Sequence, residues 1–141
     1  MVIDPLKGFP GYALRRVSAA FMAELAARLA VLDLRPAEGT VLLVIGMNPG
    51  ITQSDVGRLL DIVSANMTPL TARLASRDLI DREPVDGRSH GLTLSEAGRR
   101  LMQKTRRIME GLESELLERI PAAQRATFLG ALMALASEEK S

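Results

Sequence analysis

The apolar positions of the chain recur with helical spacing over most of its length. From about Gly11 to Leu32 they fall at Leu14, Val17, Phe21, Leu25, Leu29 and Leu32. Steps of three and four place them on one stripe of a long helix. Pro36 stands where a first helical turn accepts proline, because its missing N–H has no partner there. The run from Thr40 to Met47 continues as a buried helix and stops at the breaker cluster Asn48-Pro49-Gly50. Thr52-Gln53-Ser54-Asp55 has the form of a helix cap with an acid three residues on. It opens a short helix from Gln53 to Leu60, with Val56, Leu59 and Leu60 inward. A tight connection at Asp61–Val63 leads to a second helix, about Ser64 to Arg77, whose core residues are Met67, Leu70 and Leu74. Two short helices joined by so few residues form a helix-turn-helix.

The period then changes. Leu79-Ile80-Asp81-Arg82-Glu83 reads as a strand, Asp86-Gly87-Arg88-Ser89 as a turn, and Leu92-Thr93-Leu94 as the returning strand. Ser95-Glu96-Ala97-Gly98 starts a long helix to about Arg119, with Leu101, Thr105, Ile108, Leu112 and Leu116 on one face. Pro121 opens a last helix through about Ala136, with Phe128, Leu129, Leu132 and Leu135 inward. The fold class is therefore mainly α: about six helices with a two-stranded β wing after the helix-turn-helix. Repeats, low-complexity tracts and internal linkers are absent. The apolar stripes of the first helix and the last two are long, and burial against a second copy of the chain is their natural outlet. The expected organisation is one domain over residues 1–141. Residues 36–98 form the winged lobe, and residues 8–35 with 99–141 form a helical dimerisation region.

Composition narrows the chemistry. At 141 residues the chain has the length of one domain, and its 47% apolar content suffices for one core. That core is aliphatic, since Phe9, Tyr12, Phe21 and Phe128 are the only aromatics. There is no cysteine, which excludes disulfides, thiolate nucleophiles and thiol redox sensing. His90 is the single histidine, so a His-rich metal site within one chain is excluded too, and neither metal nor cofactor is expected. No cluster of nucleophile, base and metal ligands points to an enzyme. No apolar run approaches the ~20 residues of a membrane span. The start, MVIDPLKGFPGY, lacks the build of a secretion signal, so a cytoplasmic location is expected. The formal net charge is only +1. Between Gly50 and Arg107 the lysines and arginines modestly outnumber the acids, so charge alone does not declare a nucleic-acid binder.

The segment Asp86-Gly87-Arg88-Ser89-His90-Gly91-Leu92-Thr93-Leu94-Ser95-Glu96-Ala97-Gly98 resembles the wing signature of the MarR family (multiple antibiotic resistance regulators). That signature has an Asp-x-Arg pair, then Leu-Thr, then Glu-Ala-Gly, with Ser95 here in a Thr position. Leu79-Ile80-Asp81-Arg82 and the Leu59–Leu74 pattern fit the same template, and the flanking helices match in length and order. Three positions depart from it. Val63 stands where a polar cap is usual. Pro69 lies inside the second helix, where proline costs roughly 3 kcal/mol and favours a kink. Asp78 replaces the glycine common at that helix end.

In helix-turn-helix docking the N-terminal residues of the second helix meet base edges. Here they are Ser64, Ala65, Asn66 and Thr68, with Pro69 beside them. The amide of Asn66 matches adenine N6 and N7; the plainer reading is that Ser64 and Asn66 only cap the helix. Ala65 and Pro69 touch thymine methyls or nothing. Arg73 is either a phosphate or base contact or a solvated arginine. At Gln53 and Ser54 the backbone N–H groups and the helix dipole favour a phosphate. Arg82, Ser89 and His90 complete the candidate DNA contacts. The resemblance implies that Arg88 lines or enters the minor groove, with Asp86 pairing with it or a neighbour, although Asp-Gly is also ordinary turn chemistry. It also implies that aromatic acids lodge between the dimer helices and the winged lobe. The candidate lining there is Tyr12, Arg15, Arg16, Phe21, Met22, Leu43 and Met47, with an arginine for a carboxylate or phosphate. The bland alternative is that these seven are core and interface residues.

The expected function is a ligand-responsive repressor that binds a pseudo-palindromic duplex as a homodimer and controls aromatic-compound breakdown or efflux. Its effector would be a small aromatic acid or its thioester. The alternative is a winged-helix module that binds protein and does not read DNA.

Overall fold

The computed structural model describes residues 1–87 and 89–138. Its elements in chain order are α1 (Pro10–Ala30), α2 (Pro36–Met47), β1 (Ile51–Thr52), α3 (Gln53–Leu60), α4 (Ser64–Ser76), β2 (Ile80–Pro84), β3 (His90–Leu94) and α5 (Glu96–Glu118). A short 3-10 turn (Ala122–Gln124) and α6 (Arg125–Glu138) follow. No helix among the described residues is long and apolar enough to cross a membrane.

The chain divides into two compact units, Met1–Ile108 and Met109–Ser141, with the division inside α5. The core of the first is aliphatic. Leu25 and Leu29 come from α1, Val41, Leu42 and Ile45 from α2, Val56 from α3, Met67 and Leu74 from α4, and Ile80, Leu92 and Leu94 from the sheet. Gly46 of α2 allows a close crossing, since a Cβ there would overlap the sulfur of Met102 on α5. Gly98 is as close and less forgiving: its Cβ would overlap the backbone carbonyl oxygen of Leu79, which cannot swing aside as the Met102 side chain can. That close approach is why the Glu-Ala-Gly segment ends in glycine. It seats the start of α5 on the strand leaving the helix-turn-helix.

The wing is larger than the expected two-stranded hairpin. A third strand, β1, pairs antiparallel with β3 (Ile51 opposite Leu92, Thr52 opposite Gly91), giving the order β1-β3-β2. The β2–β3 ladder runs from Ile80 opposite Leu94 to Pro84 opposite His90, so proline ends the outer strand, where no ladder donor is needed. Two residues are too few for an alternating pattern, and the partner of β1 lies far along the chain. Pairing through β1 fixes the wing directly to the first residue of α3.

Several faces differ from the expected ones. Leu59 of α3 is exposed, and its inward place does not hold, because α3 buries Val56 and Gly57 instead. On α4, Leu70 is half-buried, and the fully buried neighbour of Met67 and Leu74 is Thr71. Leu14 and Val17 of α1 are exposed, as are Phe128, Leu129 and Leu135 of α6. The expected inward stripes are thus open in the single chain. Pro121 precedes the 3-10 turn rather than opening α6 directly.

Candidate nucleic-acid interface

Two capping arrangements set the helix-turn-helix. Thr52 Oγ1 accepts from the Asp55 backbone N–H at 3.1 Å, as the cap pattern demands. The Asp55 carboxyl is hydrogen-bonded by Arg58 and, secondarily, by Thr52, and these hold it below the usual carboxylate range. Val63, at the cap of α4, makes no side-chain cap bond, so the first turn of α4 keeps free N–H groups. Pro69 is accommodated within one continuous helix from Ser64 to Ser76.

Ser64, Ala65, Asn66, Thr68 and Pro69 are all exposed, so the N-terminal half of α4 is an open polar surface. A groove of about 280 Å³ runs beside it, lined by Gln53, Ser54, Gly57, Arg58, Ile62, Ser64 and Met67. A second groove, about 220 Å³ and mostly polar, separates the start of α3 from the wing. Thr52, Gln53, Ser54, Arg82, Ser89, His90 and Leu92 line it. Five candidates drawn from separate stretches of sequence therefore meet in one cleft. Its donors are a guanidinium, the hydroxyls of Ser54 and Ser89, an imidazole and the N-terminal amides of α3, a set suited to an anion such as phosphate.

The wing turn is built by Asp86, whose Oδ1 accepts from the Ser89 N–H at 2.8 Å, while the Val85 N–H donates to the Ser89 carbonyl at 3.0 Å. Arg88 lies outside the described residues.

Arg73 is engaged elsewhere. Its Nε lies 2.7 Å from Oε2 of Glu38, whose side chain is 3% exposed. The Nε–H does not point along that line, so the contact is an ion pair without an aligned hydrogen bond. The other carboxylate oxygen of Glu38 accepts from the Arg35 N–H at 2.8 Å. Arg73 also approaches Asp33 at 3.4 Å, and Arg77 donates to the backbone oxygens of Asp33 (2.6 Å) and Leu32 (3.2 Å). Arg73 is thus not the solvated arginine of the plainer reading: a buried carboxylate needs a cation, and Arg73 is in reach.

A model of the MarR family matches residues 32–89. The HTH-type transcriptional repressor Rv2887 of Mycobacterium tuberculosis is 27% identical over 130 residues, covering 91% of this chain and 94% of that protein. The repressor CouR, solved bound to a 23-mer DNA duplex, superposes with a TM-score of 0.86 at 29% identity, over 96% of this chain and 98% of CouR. CouR bound to p-coumaroyl-CoA superposes with a TM-score of 0.85 at 26% identity, over 96% of this chain and 97% of that one. The winged lobe of the chain matches the MarR family, and nearly the whole chain is similar to these repressors in sequence and fold. Another relative is an activator, the exopolysaccharide II synthesis regulator ExpG of Rhizobium meliloti. It is 39% identical over 107 residues, covering 72% of this chain and 53% of ExpG.

The expected effector residues are more scattered than the candidate DNA contacts. Tyr12 is half-buried, with the guanidinium of Arg15 at 5.5 Å and that of Arg16 at 5.7 Å from its ring centre. Phe21 and Leu43 are half-buried, whereas Met22 and Met47 are exposed. Neither groove described above includes any of the seven. Sequence reasoning missed Arg58, which lines the first groove, and Thr71, which bonds Gln53 and Arg82. Arg58 carried a weak signal, three residues after Asp55 on the same helix face, whereas Thr71 is polar and the apolar spacing gave its inward place to Leu70.

Proposed function

We propose that this chain is a ligand-responsive transcriptional regulator that binds duplex DNA as a homodimer. The observation that carries this reading is the open N-terminal half of α4 beside a polar cleft shared by α3 and the wing. The α4 tip suits the major groove, and the cleft suits a backbone phosphate. Exposed apolar residues on α1 (Leu14, Val17, Met22) and, in the second unit, on α6 (Leu129, Met133, Leu135) support self-association through residues 8–35 and 99–141. The winged lobe is residues 36–98. Two copies related by a two-fold axis would read half-sites about 34–36 Å apart. Repression is the favoured direction, because the relatives matched over nearly their full length are named repressors.

For the effector we propose an aromatic acid or its thioester, held near Tyr12, Arg15 and Arg16, with breakdown of aromatic compounds or efflux as the regulated process. Support comes from the Tyr12 ring close to two arginines and from the p-coumaroyl-CoA complex of CouR. Such a ligand acts by favouring a dimer whose two α4 helices are wrongly spaced for successive grooves.

The test is selection of bound fragments from the host genome, followed by titration at several salt concentrations. Specific binding that weakens steeply with salt supports the reading. The near-neutral charge favours the alternative, a protein-binding winged helix, and that is the conclusion if no fragment is enriched. Asn66→Ala is expected to lose discrimination at one base pair per half-site, by about 1–3 kcal/mol. A uniform loss across sequences would reduce Asn66 to a cap. Arg88→Ala is expected to weaken binding with helix content intact, and unchanged affinity would remove the wing from the interface.

A further inference from the structure

Thr71 occupies a position on α4 that packing alone would give to an apolar residue. It is fully buried between Met67 and Leu74, where a valine of the same shape would fit. A buried hydroxyl costs free energy unless it is bonded, and the Met67 carbonyl at 3.0 Å would satisfy it. The hydroxyl nevertheless reaches beyond its own helix. Its closest acceptor is Gln53 Oε1 at 2.8 Å, on the first residue of α3. Its lone pair accepts from Arg82 Nη2 at 3.3 Å, from the middle of β2. The amide of Gln53 in turn donates to Thr68 Oγ1 at 3.3 Å. One hydroxyl therefore joins three elements, and two of its partners, Gln53 and Arg82, line the cleft between α3 and the wing.

We propose that Thr71 is a positioning residue for the DNA-facing surface: without touching the duplex, it aims Gln53 and Arg82 into the cleft that receives a backbone phosphate. The proposal rests on the DNA-binding reading above. Arg82 is exposed and on a flexible stem, so its guanidinium is held in the cleft only by what it bonds at the base. Its positive charge also favours the carbonyl oxygen of Gln53, rather than its NH2, on the Thr71 side. The NH2 is thereby left toward Thr68 and the open face of α4.

The experiment compares Thr71→Val, which keeps the shape and removes the hydroxyl, with Thr71→Ser, which keeps the hydroxyl. Each full-length variant is titrated with a duplex that the wild-type chain selects, across a range of KCl, at a temperature where it is folded. Thr71→Val is expected to bind roughly tenfold more weakly, the size of one lost charge-assisted bond. The slope of log affinity against log salt should become shallower by about one, the share of one phosphate. Thr71→Ser should restore both. In a Gln53→Ala/Arg82→Ala background, Thr71→Val should have no further effect, since it acts through those two side chains. Should Thr71→Val fail to fold, Thr71→Cys, near in size but a weak donor, carries the same comparison. Wild-type affinity and slope in the folded variant, or an equal loss in the double background, overturn the proposal while leaving the DNA reading intact. A wild-type chain that binds no duplex overturns both.

Discussion

Three aspartates hold the left-handed conformation that usually falls to glycine: Asp33, Asp61 and Asp78, with φ of 52°, 54° and 56°. Each follows a helix, and each is succeeded by a residue whose N–H reaches back five positions. Leu34 donates to Leu29, Ile62 to Gly57 and Leu79 to Leu74. This is the bonding of a left-handed helix stop, and aspartate tolerates it better than most residues with a side chain. Asp61→Gly is expected to stabilise the fold by about 0.5 kcal/mol, less than the full steric relief because glycine also loosens the unfolded chain. A fall in the denaturant midpoint would show that the Asp61 side chain has a role of its own. At Gly98 the demand is the reverse. Gly98→Ala puts a methyl into the Leu79 carbonyl, and a loss of roughly 2–3 kcal/mol is expected from such overpacking. A folded, wild-type-stable Gly98→Ala would mean that α5 shifts freely on the sheet. Ser95 secures the same junction, donating to the Asp78 carbonyl at 2.6 Å and accepting from the Gly98 N–H at 3.0 Å.

At the level of elements, α4 has two ends with separate roles. Its first half is exposed and polar. Its second half is tied by Arg73 and Arg77 to the corner between α1 and α2. Glu38 is the buried charge in that tie, so the pair is worth more in its breaking than in its making. Arg73→Met is expected to cost about 2–3 kcal/mol, discounted because the guanidinium is 36% exposed. Glu38→Leu/Arg73→Met should recover most of the loss. Urea unfolding of both variants decides the matter: an equal loss in the double variant would show that the ion pair itself is the favourable part. The start of α3 carries a smaller, pH-dependent contribution. The Asp55 carboxyl is held low by Arg58 and Thr52, so its stabilisation is complete above the ordinary carboxylate value of about 3.9. It is lost as pH falls through the lower folded-state value. Asp55→Asn should flatten that part of the acid limb in a stability-against-pH series; an unchanged limb would assign it to other carboxylates.

Across the whole molecule, exposed apolar residues lie on α1 and on α6, and the proposed self-association runs through them. Val17 on α1 is 52% exposed and Met133 on α6 is 63% exposed. Val17→Glu and Met133→Glu are each expected to weaken self-association by at least about tenfold, since an unpaired carboxylate in an apolar interface costs more than the ~1.4 kcal/mol that this represents. Sedimentation at several concentrations measures it, and dimers unaffected by either change would move the interface off these helices. Helical spacing reports which face of an element is apolar, and that property is local. It placed the six helices, the turn between α3 and α4 and the hairpin after them, and five of the candidate residues it drew from separate stretches line one cleft. Spacing does not say what covers an apolar face, so the stripes of α1 and α6 and the place of Leu59 were legible as pattern but not as burial. Nor does it see a bond between residues far apart in sequence. The pairing of β1 with β3, the approach of Arg73 to Asp33 across 40 positions and the reach of Thr71 to Gln53 across 18 exist only once the helices have packed. The sequence alone therefore determined the helices, the hairpin and the family resemblance. Tertiary packing decided which polar side chains are free to meet a partner, because a charge or hydroxyl excluded from water must be bonded by whatever the fold brings beside it.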